Sequence, residues 1–191
     1  MIENLIRKNR TCRRFHEDVR VDAKTLKDLV NLARLSASGG NMQPLKFMLS
    51  SEKEENARIF PSLAWAAYLK DWGGPAEGER PAAYIIVLCD TRIRKSADCD
   101  AGIACQSILL GAVEKGLSGC ILGSIKRDPL RQTLQIPEHL EIALVVALGK
   151  PRETVKIESV GPGGDIKYWR DEHGVHHVPK RALEEIIVAR P

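Results

Sequence analysis

The sequence predicts an α+β domain, with helices layered on a sheet. Residues 82–89 and 142–148 are continuous apolar runs of strand length, rich in β-branched residues. Residues 2–6 and 26–33 instead place apolar side chains at helical i, i+3, i+4 spacing. These patterns are interspersed but do not alternate strictly as βαβ units, which favours mixed layers over a doubly wound parallel sheet. The chain has 191 residues, 43% of them hydrophobic, enough to bury a core without a disulfide or metal staple. Residues 1–191 are therefore read as a single domain.

The elements follow in order. Ile2, Leu5 and Ile6 mark a short first helix that ends near a run of arginines. Asp22 is placed to cap a second helix with Leu26, Leu29, Val30 and Ala33 on one face, and Ser36-Ala37-Ser38-Gly39-Gly40-Asn41 breaks it. Residues 45–49 read as a strand. Residues 52–72 read as an amphipathic helix whose Trp65, Tyr68 and Trp72 form a core stripe or a lid. After a loop at 73–78 comes the strand 82–89, then a helix opened by Asp98 or Asp100 that runs to about Lys115, stopped by Gly116 and Gly119. Its many small residues, among them Ala101, Gly102, Ala104, Gly111 and Ala112, suit the close approach of another helix. A short strand at 120–122 precedes a helix with Asp128 as N-cap and Pro129 as its first residue. The strand 142–148 ends at Gly149-Lys150-Pro151, and 150–165 is expected to be strand-poor. Residues 166–170 and 175–178 flank Asp171-Glu172-His173-Gly174, a hairpin loop with Gly174 at the positive-φ position.

Composition excludes several classes. No apolar run approaches the ~20 residues of a membrane-spanning helix. The first ten residues, MIENLIRKNR, lack the apolar stretch of a secretory signal. Five scattered cysteines without a CxxC pair suit a reduced, cytoplasmic chain. His173, His176 and His177 have no second ligand cluster at zinc spacing, so no metal is expected. The glycine-rich stretch 161–165 lacks the Lys-Ser/Thr of a P-loop and reads as a turn. Cys12 sits among arginines, which would lower a thiol pKa, or else it fills a semi-buried apolar position.

Net charge is +4, but Arg7, Lys8, Arg10, Arg13 and Arg14 put five cations in eight residues. That run reads as a solvated face, a nucleic-acid contact or a phosphate grip. A single-strand binder would interleave aromatics with the cations, and only Phe15 is near. Three separated segments share a chemistry: cations and a hydroxyl at 9–14, small residues with free N–H groups and amides at 36–43, and Lys180-Arg181 in the tail. Guanidinium forks, an ammonium and hydroxyls suit a phosphate monoester, while N–H groups and amides suit an aromatic ring with polar edges.

These segments, in order, resemble the nitroreductase family of FMN-dependent oxidoreductases. Arg10-Thr11-Cys12-Arg13-Arg14-Phe15 is similar to its RRSIRxF opening, and Ser36 to Pro44 to its APSxxNxQPW segment. Asp100-Ala101-Gly102-Ile103-Ala104-Cys105-Gln106 with Gly116-Leu117 resembles its DxGxAxQN…LGL helix. Cys120-Ile121-Leu122-Gly123-Ser124 stands where that family has a strand and glycine loop, and Pro179 to Ile186 resembles its RKPLEEI tail. This sequence departs from the pattern at Asn9, Thr11, Leu45, Ser107 and Ala182.

The resemblance implies a nitroreductase-like fold, a mostly antiparallel central sheet flanked by helices, in an intertwined homodimer with FMN at the interface. It implies that Asn9, Arg10, Thr11 and Arg13 contact the FMN phosphate and pyrimidine edge. Lys180 and Arg181 would close on the phosphate, the partner subunit would contribute Ala37, Ser38, Gly39 and Asn41, and Leu122, Gly123 and Ser124 would lie along the isoalloxazine. NAD(P)H is the implied co-substrate, and nitroaromatics, quinones or similar molecules the acceptors, in a ping-pong hydride transfer. No side-chain acid or base is demanded; Arg13 is the expected cation beside N1/O2. A flavin-binding or flavin-fragmenting protein on the same fold, and a basic nucleic-acid module, are the alternative readings.

Overall fold

In a computed structural model, the described residues, 1–161 and 163–188, run in the order α1 (Ile2–Lys8), β1 (Phe15–His16), α2 (Ala23–Leu35), β2 (Leu45–Ser50), α3 (Lys53–Ile59), β3 (Ala83–Asp90), α4 (Asp98–Glu114), β4 (Ser118–Leu122), α5 (Arg127–Leu134), β5 (Leu140–Pro151), β6 (Val155–Ser159), β7 (Trp169–Arg170), β8 (His176–Lys180) and α6 (Leu183–Ile186). Pro162, in the glycine-rich turn, lies outside the described residues. β5 is the central strand. It pairs along one edge with β3, which pairs with β2, and along the other with β4 and then β1, every ladder antiparallel. The α+β class and the antiparallel sheet expected from sequence are what the fold shows.

β3 is buried along its whole length because both faces of the sheet are covered. With a side-chain period of two, Ile85 and Val87 join a core with Leu26 and Leu29 of α2 and Ala104, Cys105 and Ile108 of α4. Tyr84, Ile86 and Leu88 join a second core with Ile59, Leu63, Trp65 and Leu130 on the other face. Two covered faces explain the unbroken apolar run in an antiparallel strand, where one wet face would have produced alternation.

Local chemistry fixes the helices as expected at several ends. The Asp22 carboxylate accepts from Thr25 N at 2.6 Å, the cap that opens α2. Part of the small face of α4 is spent within the chain. A Cβ on Gly111 would sit 2.3 Å from Leu32 Cδ1 and 3.1 Å from Leu29 Cδ2, whereas one on Gly102 would meet nothing. α5 departs from expectation: it begins at Arg127 with Lys126 at the N-cap, so Asp128 is its second residue rather than its cap and Pro129 its third.

Four further expectations are corrected. The helix over 52–72 stops at Ile59; a 3-10 turn at Phe60–Ser62 contains Pro61, whose ring and missing N–H prevent the helix from continuing. Trp65, Tyr68 and Trp72 therefore do not share a helical face: Trp65 is buried and stacked on Phe60, Tyr68 meets Tyr168, and Trp72 lies under Arg170. β5 is not ended by Gly149 but runs on to Pro151, where β1 pairs with it. Residues 155–159 are a strand, parallel to β8. The hairpin forms as expected, β7 against β8 with Gly174 at φ 76°, and the three strands make a second small sheet.

Candidate functional site

The segment after α1 is pinned along the central sheet. Thr11 bridges to Gly119, Cys12 N donates to Gly119 O at 2.9 Å, and the fully buried Phe15 pairs with Pro151. This lays residues 9–13 along one wall of a cleft of about 310 Å³. α4 supplies Gln106 and Leu109, β4 supplies Ile121, and the C-terminal sheet closes it with Tyr168, His176, Val178 and Lys180.

Three of its polar side chains, Arg10, Arg13 and Lys180, can only donate. Asn9, buried, donates from Nδ2 to Gln106 Oε1 at 3.3 Å. Arg10 donates from Nη2 to Ile6 O at 2.8 Å, and burial lowers its pKa. Arg13, only 9% exposed, donates from Nη1 to His176 Nε2 at 3.2 Å, and its guanidinium lies 4.8 Å over the Tyr168 ring. A guanidinium can only donate, so Nε2 of His176 accepts and the neutral ring carries its proton on Nδ1. Burial, helped by the nearby Arg13 and Arg170 charges, pushes His176 down to about 4. Six buried side-chain polar atoms lack a partner among the described residues, and three of them, Arg10 Nε, Arg13 Nε and His176 Nδ1, belong to residues of this cleft. A buried donor without an acceptor costs about 1–3 kcal/mol. The three cations that line the cleft, Arg10, Arg13 and Lys180, suit an anion rich in acceptor atoms.

The five clustered cations do not form one solvated stripe. Arg7 pairs with Glu3 on the surface, Arg14 turns inward to a two-pronged pairing with Glu79, and Arg10 and Arg13 face the cleft. Cys12 is buried, and burial, with the Glu153 charge, pushes its thiol up to about 12, so the apolar-position reading of that residue holds and the reactive one does not.

Of the residues singled out in the sequence, Asn9, Arg10, Thr11, Arg13 and Lys180 meet in the cleft. Arg181 does not line it; it is half-exposed and pairs with Glu185 at 3.4 Å. Leu122 is buried in the second core, and strand alternation brings its neighbour Ile121 to the cleft instead. Gly123 and Ser124 are exposed just past β4, where Ser124 O accepts from Ala64 N. Ala37, Ser38, Gly39 and Asn41 lie outside this chain's cleft. There Ser38 Oγ and Gly39 N donate to the Asp100 carboxylate at 2.6 and 3.1 Å, holding its pKa below the usual range.

Sequence reasoning missed Tyr168, His176, Gln106, Ile121 and Val178. Gln106 stood inside a quoted motif, and the two-residue side-chain period of the strand at 175–178 is the signal that could have set His176 and His177 on opposite faces. They diverge as that implies: His177 lies between Glu158 at 2.6 Å and Asp171 at 3.0 Å, stacked on Trp169.

Residues 6–150 match the Nitroreductase family, and the chain belongs to it. It is 27% identical over 150 residues, 73% of this chain and 80% of the other, to an Archaeoglobus fulgidus protein named for NADH dehydrogenase/NAD(P)H nitroreductase activity. In fold it is similar to a nitroreductase family protein from Streptococcus pneumoniae TIGR4, with a TM-score of 0.70 at 16% identity over the full length of both chains. It is also similar to an FMN-dependent nitroreductase from Clostridium difficile R20291, with a TM-score of 0.64 at 21% identity over 80% of this chain and 88% of that one.

Proposed function

We propose that the protein is an FMN-dependent oxidoreductase that takes a hydride from NAD(P)H and passes it to a nitroaromatic, quinone or similar acceptor in ping-pong order. The observation that carries this reading is the convergence of three donor-only cations, Arg10, Arg13 and Lys180, with Asn9 and Thr11 on one cleft. FMN fits that donor set, with a dianionic phosphate at one end and acceptor-rich pyrimidine atoms at the other. Bound there, FMN would supply the hydride chemistry.

The protein's part is grip and electrostatics. Arg10, Thr11 and Lys180 would hold the phosphate, and Arg181 would join them only by leaving Glu185. Asn9, fixed by Gln106, and Arg13 would meet the pyrimidine edge, where the Arg13 charge favours the more negative, reduced form. Ile121, in place of the core-buried Leu122, would run along the ring, with Gly123 and Ser124 just past it. Ala37, Ser38, Gly39 and Asn41 would come from the partner in a homodimer. The apolar side chains that α1, α2 and α4 leave exposed, Ile2, Ile6, Leu35 and Ile103, support such a contact. A cytoplasmic location belongs to the same reading.

The test is a visible spectrum of the purified protein, followed by anaerobic addition of NADH or NADPH. Flavin bands that bleach on addition are expected. A protein that neither carries flavin nor takes up added FMN would overturn the proposal.

A further inference from the structure

We propose that His176 is a positioning residue that aims the Arg13 guanidinium into the cleft without cancelling its charge. The inference rests on the FMN reading for its consequence, but its geometry is independent of that reading. Arg13 is a buried cation that forms no ion pair within 4 Å among the described residues. Glu153, which contacts the Arg13 backbone, has a fully buried side chain and is already occupied: it accepts from the Arg13 backbone N and from Arg170 Nη2 at 3.0 Å. The Arg13 side chain is instead held by two uncharged groups, His176 Nε2 at 3.2 Å and the Tyr168 ring at 4.8 Å.

His176 is itself immobilised. Its backbone N donates to Thr154 O at 2.8 Å, its strand lies between β6 and β7, and its ring meets Tyr168 with centroids 5.2 Å apart. The choice of acceptor matters. A carboxylate at this position would fix the guanidinium equally well but leave a net-neutral pair, with little pull on an anion. A neutral imidazole fixes it and leaves the full positive charge for the ligand. The C-terminal hairpin, remote in sequence from the N-terminal arginines, thereby sets the field that those arginines present.

The near-isosteric pair His176→Gln and His176→Glu separates orientation from charge, with His176→Leu removing both acceptor and contact. Two quantities are read: the FMN dissociation constant and the midpoint potential of the bound flavin. The glutamine variant is expected to stay within about threefold of the wild type. The glutamate variant, its carboxyl ionised beside Arg13, is expected to bind FMN at least about tenfold more weakly, the scale of one charge-assisted interaction, and to shift the potential to more negative values. Equal behaviour of the glutamine and glutamate variants would overturn the proposal.

Arginine side-chain nitrogen NMR of the flavin-free protein supplies a readout that does not need FMN. Hindered rotation of the Arg13 terminal nitrogens is expected in the wild type and in His176→Gln, and free rotation in His176→Leu. The same mobility in all three would overturn the positioning role even if FMN binds. Failure of the wild type to bind FMN, with the NMR pattern as expected, would count against the functional reading alone.

Discussion

At the scale of single residues, the proposed site rests on the cations that line the cleft. Removing Arg13 deletes a cation assigned to the pyrimidine edge; removing Lys180 deletes one assigned to the phosphate. Arg13→Ala is expected to weaken FMN binding about tenfold to hundredfold, from the 1.5–3 kcal/mol of a charge-assisted hydrogen bond, and to lower the flavin potential. Lys180→Ala is expected to weaken binding while leaving the potential in place, which a paired titration and spectroelectrochemical measurement checks. His176 also gives the fold a pH signature. Its pKa falls from 6.5 to about 4 on folding, so the unfolded chain binds more protons between these values. The associated stability is complete above pH 6.5 and is lost as pH falls toward 4, on the order of 3 kcal/mol in all. Thermal melts across that window should show a shallower acid limb for His176→Gln than for the wild type. His177 has the opposite sign: hydrogen bonds to Asp171 and Glu158 raise its pKa, so its contribution is lost as pH rises.

At the scale of elements, close approach decides which glycines matter. A Cβ on Gly119 would lie 2.5 Å from the Ala147 carbonyl oxygen, part of the β5 backbone that cannot swing aside. Gly119→Ala is expected to cost about 1–3 kcal/mol, as overpacking does, in a denaturant titration. Gly111→Ala meets only the ends of two leucine side chains, one of them, Leu32, 38% exposed, and gains helix propensity. It is expected to fall within about 1 kcal/mol of the wild type, since helix propensity offsets the repacking. The same scale explains what was legible in the sequence. α2, β3 and the hairpin were readable because cap, apolar run and turn glycine are local signals. The 52–72 helix was misread because the aromatic spacing at 65, 68 and 72 imitates a helical face while Pro61 forbids one. β6 was missed because its register is set by β8, some twenty residues later, and Val155–Ser159 carries little strand signal of its own. The cleft was half legible. Its N-terminal cations stand together in the chain, but Tyr168 and His176 reach Arg13 only through the tertiary fold.

At the scale of the whole molecule, the structure divides the proposed site. The cations, the buried donors and Lys180 belong to one chain's cleft, while Ser38 and Gly39 are tied to Asp100 outside it. On the proposed reading, a second copy would bring Ser38 and Gly39 to the cleft. Sedimentation is expected to show a dimer that loses flavin when it dissociates, and a monomer with stoichiometric FMN would refute that arrangement. The central claim, that the donor-lined cleft is a phosphate-anchored flavin site, is tested most directly by titrating flavin-free protein with FMN and with riboflavin, which lacks the phosphate. The account expects FMN to bind at micromolar concentration or below and riboflavin at least about tenfold more weakly, the equivalent of 1.4 kcal/mol or more from the phosphate contacts. Equal affinity for the two flavins, or no binding of either, would contradict it.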